Sequence, residues 1–308
     1  MLRKMLNAHP EIAMPPEGEY ILRVPQLHGK RRLPPEGVDD FVDLIDTMPN
    51  GFFRDRVDRA GFRRMLLARA PVELPVLLAS IYQQWADQQE KGHARWGDKK
   101  PQHWPLVDAL RQMYPQSLYI HTVRDPRDVV ASMKVNFPEK IPLRRLVPPH
   151  VLYAWHWKEA YWDGVKQGRI LGQERFLGLR YEKLVEDPRG QLEQICTFLQ
   201  MEFDERMLLF YLSKGSKIRP VWQELDELHK ETKDPAHQDN IGRYQKRLSA
   251  EEVREVEYIC RREMAAMGCE PTAGKIPGWR KAHIDALLPL CAGAWKGLRA
   301  YRRMMGSL

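Results

Sequence analysis

Ser117-Leu118-Tyr119-Ile120-His121-Thr122-Val123 runs without a break into Arg124-Asp125-Pro126-Arg127-Asp128-Val129-Val130-Ala131-Ser132. The stretch up to Val123 is rich in strand formers and mostly apolar, as a strand buried in a parallel sheet is. The residues after Val123 carry the signals of a helix start. Asp125 is a good N-cap, Pro126 suits the first helical position, and Asp128 is placed to complete a box-like cap. Arg124 therefore stands at the carboxyl end of a strand, where open α/β sheets bind ligands, beside a helix N-terminus whose N–H groups attract anions. Ser132 lies about two turns into the helix, with a hydroxyl able to donate to a phosphate oxygen. Guanidinium plus hydroxyl is good phosphate chemistry. On local physics alone, a capped and salt-bridged helix start with no ligand accounts for these residues equally well.

The same alternation continues outward. Leu2 to Ala8 is apolar-periodic and ends at His9-Pro10, and Pro15-Pro16-Glu17-Gly18 is a turn signal. Helices are expected over Val38 to Asp46, Gly61 to Ala70 and Leu74 to Glu90, the last with Leu77, Leu78, Ile81 and Trp85 at helical spacing. Arg95 to Lys99 reads as a short extended piece, and Pro105 to Met113 as helix. Beyond the opening stretch, Val151 to Gln167 reads as a long helix, Arg175 to Tyr181 as a strand, Gln191 to Leu199 as a helix, and Ala250 to Met267 as a charged amphipathic helix. Strands separated by helices predict an α/β fold, three layers around a central parallel sheet. The helix-heavy span of about 18–90 is expected to be an insertion in a domain covering 1–278, with 279–308 a basic amphipathic helix.

Ile120 to Ser132 resembles the 3′-phosphate-binding motif of the sulfotransferases that use phosphoadenosine phosphosulfate (PAPS). The family's Arg and the Ser eight residues later match Arg124 and Ser132. The resemblance extends along most of the chain. Leu6-Asn7-Ala8-His9-Pro10-Glu11-Ile12 resembles the segment after the family's first helix, and Trp96-Gly97-Asp98-Lys99-Lys100-Pro101 its Asp-Lys-x-Pro element. Leu179-Arg180-Tyr181-Glu182-Lys183-Leu184 resembles its Tyr-Glu-x-Leu segment, and Ile241-Gly242-Arg243-Tyr244 its late basic segment. The pattern is most similar to the bacterial branch related to tyrosylprotein sulfotransferases.

The resemblance implies a fold like that of P-loop nucleotide kinases and transfer of a sulfuryl group from PAPS, with release of adenosine 3′,5′-bisphosphate. It implies that Arg124 and Ser132 hold the 3′-phosphate, that Tyr181 meets the adenine and that Arg243 supports the phosphate. Glu17, seven residues after Pro10, matches the general base for the acceptor. Lys99 matches the lysine that stabilises charge near the transferring sulfate. Each has an ordinary alternative: Glu17 a solvated turn residue, Lys99 a surface lysine, Tyr181 a packed strand end, Arg243 a solvated charge. His121 is assigned no chemistry, since a histidine in a buried strand is more often a hydrogen-bonded structural residue.

The family's 5′-phosphosulfate loop, of the type Pro-x-Arg-Ser-Gly-Thr-Thr, is expected immediately upstream of Leu2. The chain as written is therefore expected to lack the first strand and that loop, through an incomplete or misassigned start. A homologue that binds a nucleotide or a membrane without turnover is the alternative, and a nucleoside or sugar kinase would need a Walker-type lysine loop upstream. Gly215-Ser216-Lys217 lacks the Gly-x-x-x-x-Gly-Lys-Ser/Thr spacing and is discounted.

Composition narrows the classes further. The formal charge is +8, and the segment from Lys275 onward holds seven basic residues (Lys275, Arg280, Lys281, Lys296, Arg299, Arg302 and Arg303) against Asp285 alone. A nearly balanced body with a basic tail is not the pattern of a nucleic-acid binder. The basic, partly apolar stretch 279–305 suits the surface of an anionic membrane, or equally a helix packed on the body. The four cysteines form no Cys-x-x-Cys pair, so neither a zinc site nor a disulfide framework is expected. Cytoplasmic localisation is expected, and the acceptor is left open among small molecules, carbohydrates, lipids and peptides.

Overall fold

The computed structural model describes residues 1–15, 20–21, 32–47, 58–92, 94–100, 106–136, 146–212 and 240–305. The chain divides into two compact units. The first comprises Met1–Gln116, Glu202–Pro235 and Arg302–Leu308, and the second Ser117–Met201 and Ala236–Tyr301.

In the first unit, helix α1 (Leu2–Ala8) leads into strand β1 (Ile12–Ala13), which pairs in parallel with β4 (Arg95–Trp96). Between them lie β2 (Arg32–Leu33), helices α2 (Val38–Thr47) and α3 (Arg59–Arg69), β3 (Val72–Glu73) and α4 (Leu74–Gln88). Strands β2 and β3 pair antiparallel, Arg32 opposite Glu73 and Leu33 opposite Val72. The apolar face foreseen for α4 is the buried one: Leu77, Leu78 and Ile81 are fully enclosed and Trp85 nearly so. They share a core with Phe41, Ile45, Phe62 and Leu66 from the two preceding helices. Tyr82 stacks on Trp96, ring centroids 4.6 Å apart, and so ties α4 to β4. Helix α5 (Val107–Met113) closes the described N-terminal part.

The second unit opens with β5 (Tyr119–Val123) and α6 (Pro126–Asn136). Helix α7 (Pro149–Leu171) then crosses back to β6 (Phe176–Arg180), which pairs in parallel with β5 from Tyr119↔Phe176 to Val123↔Arg180. Helices α8 (Tyr181–Glu186) and α9 (Pro188–Leu199) come next. After the return to this unit come α10 (Tyr244–Arg247), α11 (Ala250–Ile259), α12 (Arg261–Ala266) and the long α13 (Gly278–Met305), which belongs to this unit as far as Tyr301. Val130, Val151, Ala154, Val256, Ile259 and Ile284 are all enclosed where α6, α7, α11 and α13 meet.

Two local expectations change. Tyr181 begins a helix instead of ending a strand: the pairing with β5 stops at Arg180, and the helix from Tyr181 buries Leu184 and Val185. The single helix expected over Ala250 to Met267 is two, broken at Cys260 (φ −101°, ψ 13°). There the Lys158 ammonium takes the Ile259 carbonyl at 3.1 Å, satisfying an acceptor that a helix end leaves open.

Candidate functional site

The helix start read from sequence is built as a cap. The Asp125 carboxylate accepts the Arg127 N–H at 2.8 Å, and the Val129 N–H reaches the Asp125 carbonyl at 3.1 Å. The box is not completed by Asp128. Instead the Asp125 N–H donates to Glu182 Oε1 at 2.8 Å, and Glu182 is itself paired with Arg180 at 2.9 Å. Arg127 folds back into the protein between Asp125 (2.6 Å) and Glu257 (2.8 Å). Burial opposes its charge, but hydrogen bonds and attraction from Asp125 and Glu257 prevail and hold its pKa above the ordinary value. Arg127 is thus part of the architecture.

Arg124 lies just past the end of β5, and Trp157 Nε1–H donates to its carbonyl at 3.1 Å. Its guanidinium sits 4.6 Å from the centre of the Tyr181 ring, donates from Nη2 to the Asn240 carbonyl, and stands 3.5 Å from Asp128 Oδ2. Its Nε–H is buried with no hydrogen-bond acceptor among the described residues. Arg243 belongs to the same neighbourhood. Burial, then repulsion from Arg247 and Arg124, lowers its pKa, while Tyr181 and Asp128 act in the opposite sense. Burial raises the Tyr181 phenol, with Arg124 and Asn240 opposing. Three of the four residues expected to hold the nucleotide, Arg124, Tyr181 and Arg243, therefore come together. Ser132 lies further along α6, where its hydroxyl accepts from Asn136 Nδ2 at 3.2 Å.

Excess positive charge beside an orphaned buried donor is an arrangement suited to a phosphate dianion. The residues thus fit the 3′-phosphate end of the donor. The sequence reading missed Asp128 as the anchor of the Arg243 loop, because its partner Gly242 is 114 residues away. No local pattern signals such a pairing.

Lys99 belongs to the first unit and is exposed directly after β4. The backbone beneath it is fixed: Arg95 N–H donates to the Glu11 carbonyl (2.9 Å) and Gly97 N–H to the Ala13 carbonyl (3.0 Å). The carboxylate oxygens of Asp98 are buried, and the Tyr82 phenol faces them. Glu17 lies outside the described residues, but the segment leading to it is closely held. The Lys91 ammonium donates to the carbonyls of Asn7, His9 (2.9 Å) and Ile12 (2.8 Å). Glu11 N–H donates to His9 Nδ1 at 3.1 Å, which places the proton of the neutral ring on Nε2, the atom that donates to the Glu202 carbonyl at 2.9 Å. Asn7 Oδ1 accepts from Met14 N–H at 2.8 Å. Among the described residues no group of His, Cys, Asp and Glu is arranged to hold a metal ion.

A parallel strand pair, a capped helix and arginines gathered at the strand end together define an α/β protein with a basic corner beside a helix N-terminus. The chain belongs to the sulfotransferase family, whose model matches residues 1–205. Arg243 lies beyond that match. Nodulation protein NoeE of Sinorhizobium fredii is 26% identical over 212 residues, covering 65% of this chain and 46% of that protein. The omega-hydroxy-beta-dihydromenaquinone-9 sulfotransferase Stf3 of Mycobacterium tuberculosis is 30% identical over 118 residues, 33% of this chain and 27% of that protein. The chain thus matches less than half the length of these curated relatives. Among solved structures, the sulfotransferase domain of the Synechococcus olefin synthase superposes with a TM-score of 0.54 at 21% identity, covering 84% of this chain and 89% of that one. The sulfotransferase domain from the curacin biosynthetic pathway gives 0.58 at 17%, covering 88% and 93%. These two likenesses bear on the α/β fold.

Proposed function

We propose that this chain is a PAPS-dependent sulfotransferase that transfers a sulfuryl group to a hydroxyl or amine of its acceptor and releases adenosine 3′,5′-bisphosphate. The observation that carries the reading is the Arg124 corner: a half-buried guanidinium with an orphaned Nε–H, on the Tyr181 ring and close to Arg243. PAPS supplies the activated sulfuryl group. Arg124 and Arg243 hold the 3′-phosphate, joined by Ser132 from α6, and Tyr181 offers a face to the adenine. Glu17 accepts the proton that the acceptor's nucleophile loses, and Lys99 balances the negative charge that develops during transfer. Such transfer rests on positioning and charge stabilisation, as phosphoryl transfer does. The scheme calls for no metal.

For the acceptor, the relative named for an omega-hydroxy-dihydromenaquinone points to a hydroxyl on a small or lipid-like molecule. Among the described residues no helix is long and apolar enough to cross a membrane. We place the chain in the cytoplasm, with peripheral contact to a membrane through 279–305.

The test is titration calorimetry with adenosine 3′,5′-bisphosphate. Wild type is expected to bind, and Arg124→Ala to bind about tenfold or more weakly, the loss expected for charge-assisted hydrogen bonds. Equal binding by the variant overturns the assignment.

A further inference from the structure

We propose that Asp128 is a positioning residue for the phosphate corner, and that it acts by fixing the backbone on either side of Arg243. The inference rests on the nucleotide reading above.

Asp128 sits in the first turn of α6 with its side chain 1% exposed. Its two carboxylate oxygens are used separately. Oδ2 accepts the N–H of Gly242 at 2.9 Å, and Oδ1 accepts the N–H of Tyr244 at 2.9 Å. The residue between those two amides is Arg243. Gly242 has φ +75°, a backbone conformation that a residue with a Cβ adopts only with strain, and it lets the turn present both N–H groups to one carboxylate. The loop is held from its other end as well, since Arg124 donates to the Asn240 carbonyl. Tyr244 is in turn covered by the Arg127 guanidinium, 4.5 Å from its ring centre. Carboxylate, loop and both ligand-facing arginines therefore form one connected unit.

The same carboxylate has an opposite effect. It stands 3.5 Å from Arg124 Nη2 and partly neutralises the charge that would attract a phosphate. Removing the charge alone should tighten anion binding. Removing the clamp should weaken it, because Arg243 is then no longer held in place and its ordering must be supplied by the ligand. Both N–H bonds are made to an ionised, buried acceptor, the class of hydrogen bond that contributes most. An Asn side chain has one carbonyl oxygen, and its amide N–H groups cannot accept. The Asp128→Asn change therefore leaves one backbone N–H without its partner. On this balance the clamp outweighs the lost attraction.

The experiment compares adenosine 3′,5′-bisphosphate with adenosine 5′-phosphate by calorimetry in wild type, Asp128→Asn, Arg243→Ala and the double variant. Wild type is expected to prefer the bisphosphate. Asp128→Asn is expected to lose about tenfold of bisphosphate affinity while binding of the 5′-phosphate changes little. A general structural defect would weaken both nucleotides alike. Because Asp128 acts through Arg243, the double variant should be no weaker than Arg243→Ala. Unchanged or tighter bisphosphate binding by Asp128→Asn, equal loss for both nucleotides, or additive losses in the double variant would each overturn the positioning role while leaving the nucleotide site standing. A wild type with no preference for the bisphosphate overturns both.

Discussion

His121 and Gly164 fit each other as side chain and absence of side chain. A Cβ on residue 164 would lie 2.0 Å from the His121 ring, so α7 can pass β5 at this distance only with glycine there. The enclosure has an electrostatic consequence: burial pushes the His121 pKa down to about 4. In the unfolded chain an ordinary histidine titrates near 6.5, so between these values the unfolded state binds more protons. The neutral ring's contribution is complete above about pH 6.5 and is lost as the pH falls toward 4. Urea denaturation should show an acid-side loss on the order of 3 kcal/mol across that window, and His121→Leu should remove most of that slope. An equal slope in the variant would assign the loss to other groups. Residue-scale chemistry was legible where it is local. The Asp125 cap follows from its own sequence neighbours, and the cap forms. Asp128 was not legible, because its partners are amides that folding brings from far along the chain.

At the scale of elements, amphipathic helices were readable, and of the described two-residue strands only β4, inside the extended piece 95–99, was. Helix α4 buries the residues its periodicity picks out, since a repeat of apolar side chains needs only its own stretch of chain to be visible. The pairing of β2 with β3 joins two residues to two others about 40 positions away, too short a run for strand propensity to show. The turn after α1 is a third case: it is organised by one side chain from beyond α4. Three carbonyls converge on the Lys91 ammonium, and no sequence pattern announces such a cation. Lys91→Met keeps the aliphatic stem and removes the three donor bonds. It is expected to cost about 1.5–3 kcal/mol, the range for a hydrogen bond to a charged group. Hydrogen exchange should locate the loss. The Met14 amide, bonded to Asn7, should exchange faster, while amides of β5 and β6 keep their wild-type rates.

For the molecule as a whole, the described residues group into two compact units. Glu202–Pro235 returns to the N-terminal unit, and its composition gives no sign of that. The charge asymmetry was legible, because counting residues needs no fold. The structure adds how the basic helix α13 is attached. Arg280 bridges Glu251 (2.5 Å) and Glu255 (2.7 Å), and Glu255 also meets His150 Nε2 (2.5 Å). Tyr258 donates to Asp285 at 2.9 Å, and Ile284, Leu287 and Cys291 are buried. These anchors all lie in the first half of the helix. Lys296, Arg299, Arg302 and Arg303 come after them in sequence. Removing 294–308 takes away those four cations and keeps the anchors named above. If the basic end meets a membrane, vesicles containing phosphatidylserine should bind the full chain on the order of a hundredfold or more tightly than the shortened one, at about 1 kcal/mol per basic residue near the surface. Sedimentation with such vesicles, repeated at high salt and with phosphatidylcholine alone, reads the difference. Binding that survives high salt would place the contact on apolar surface, because salt screens the attraction between exposed charges and an anionic surface, and binding that survives the truncation would place it outside 294–308.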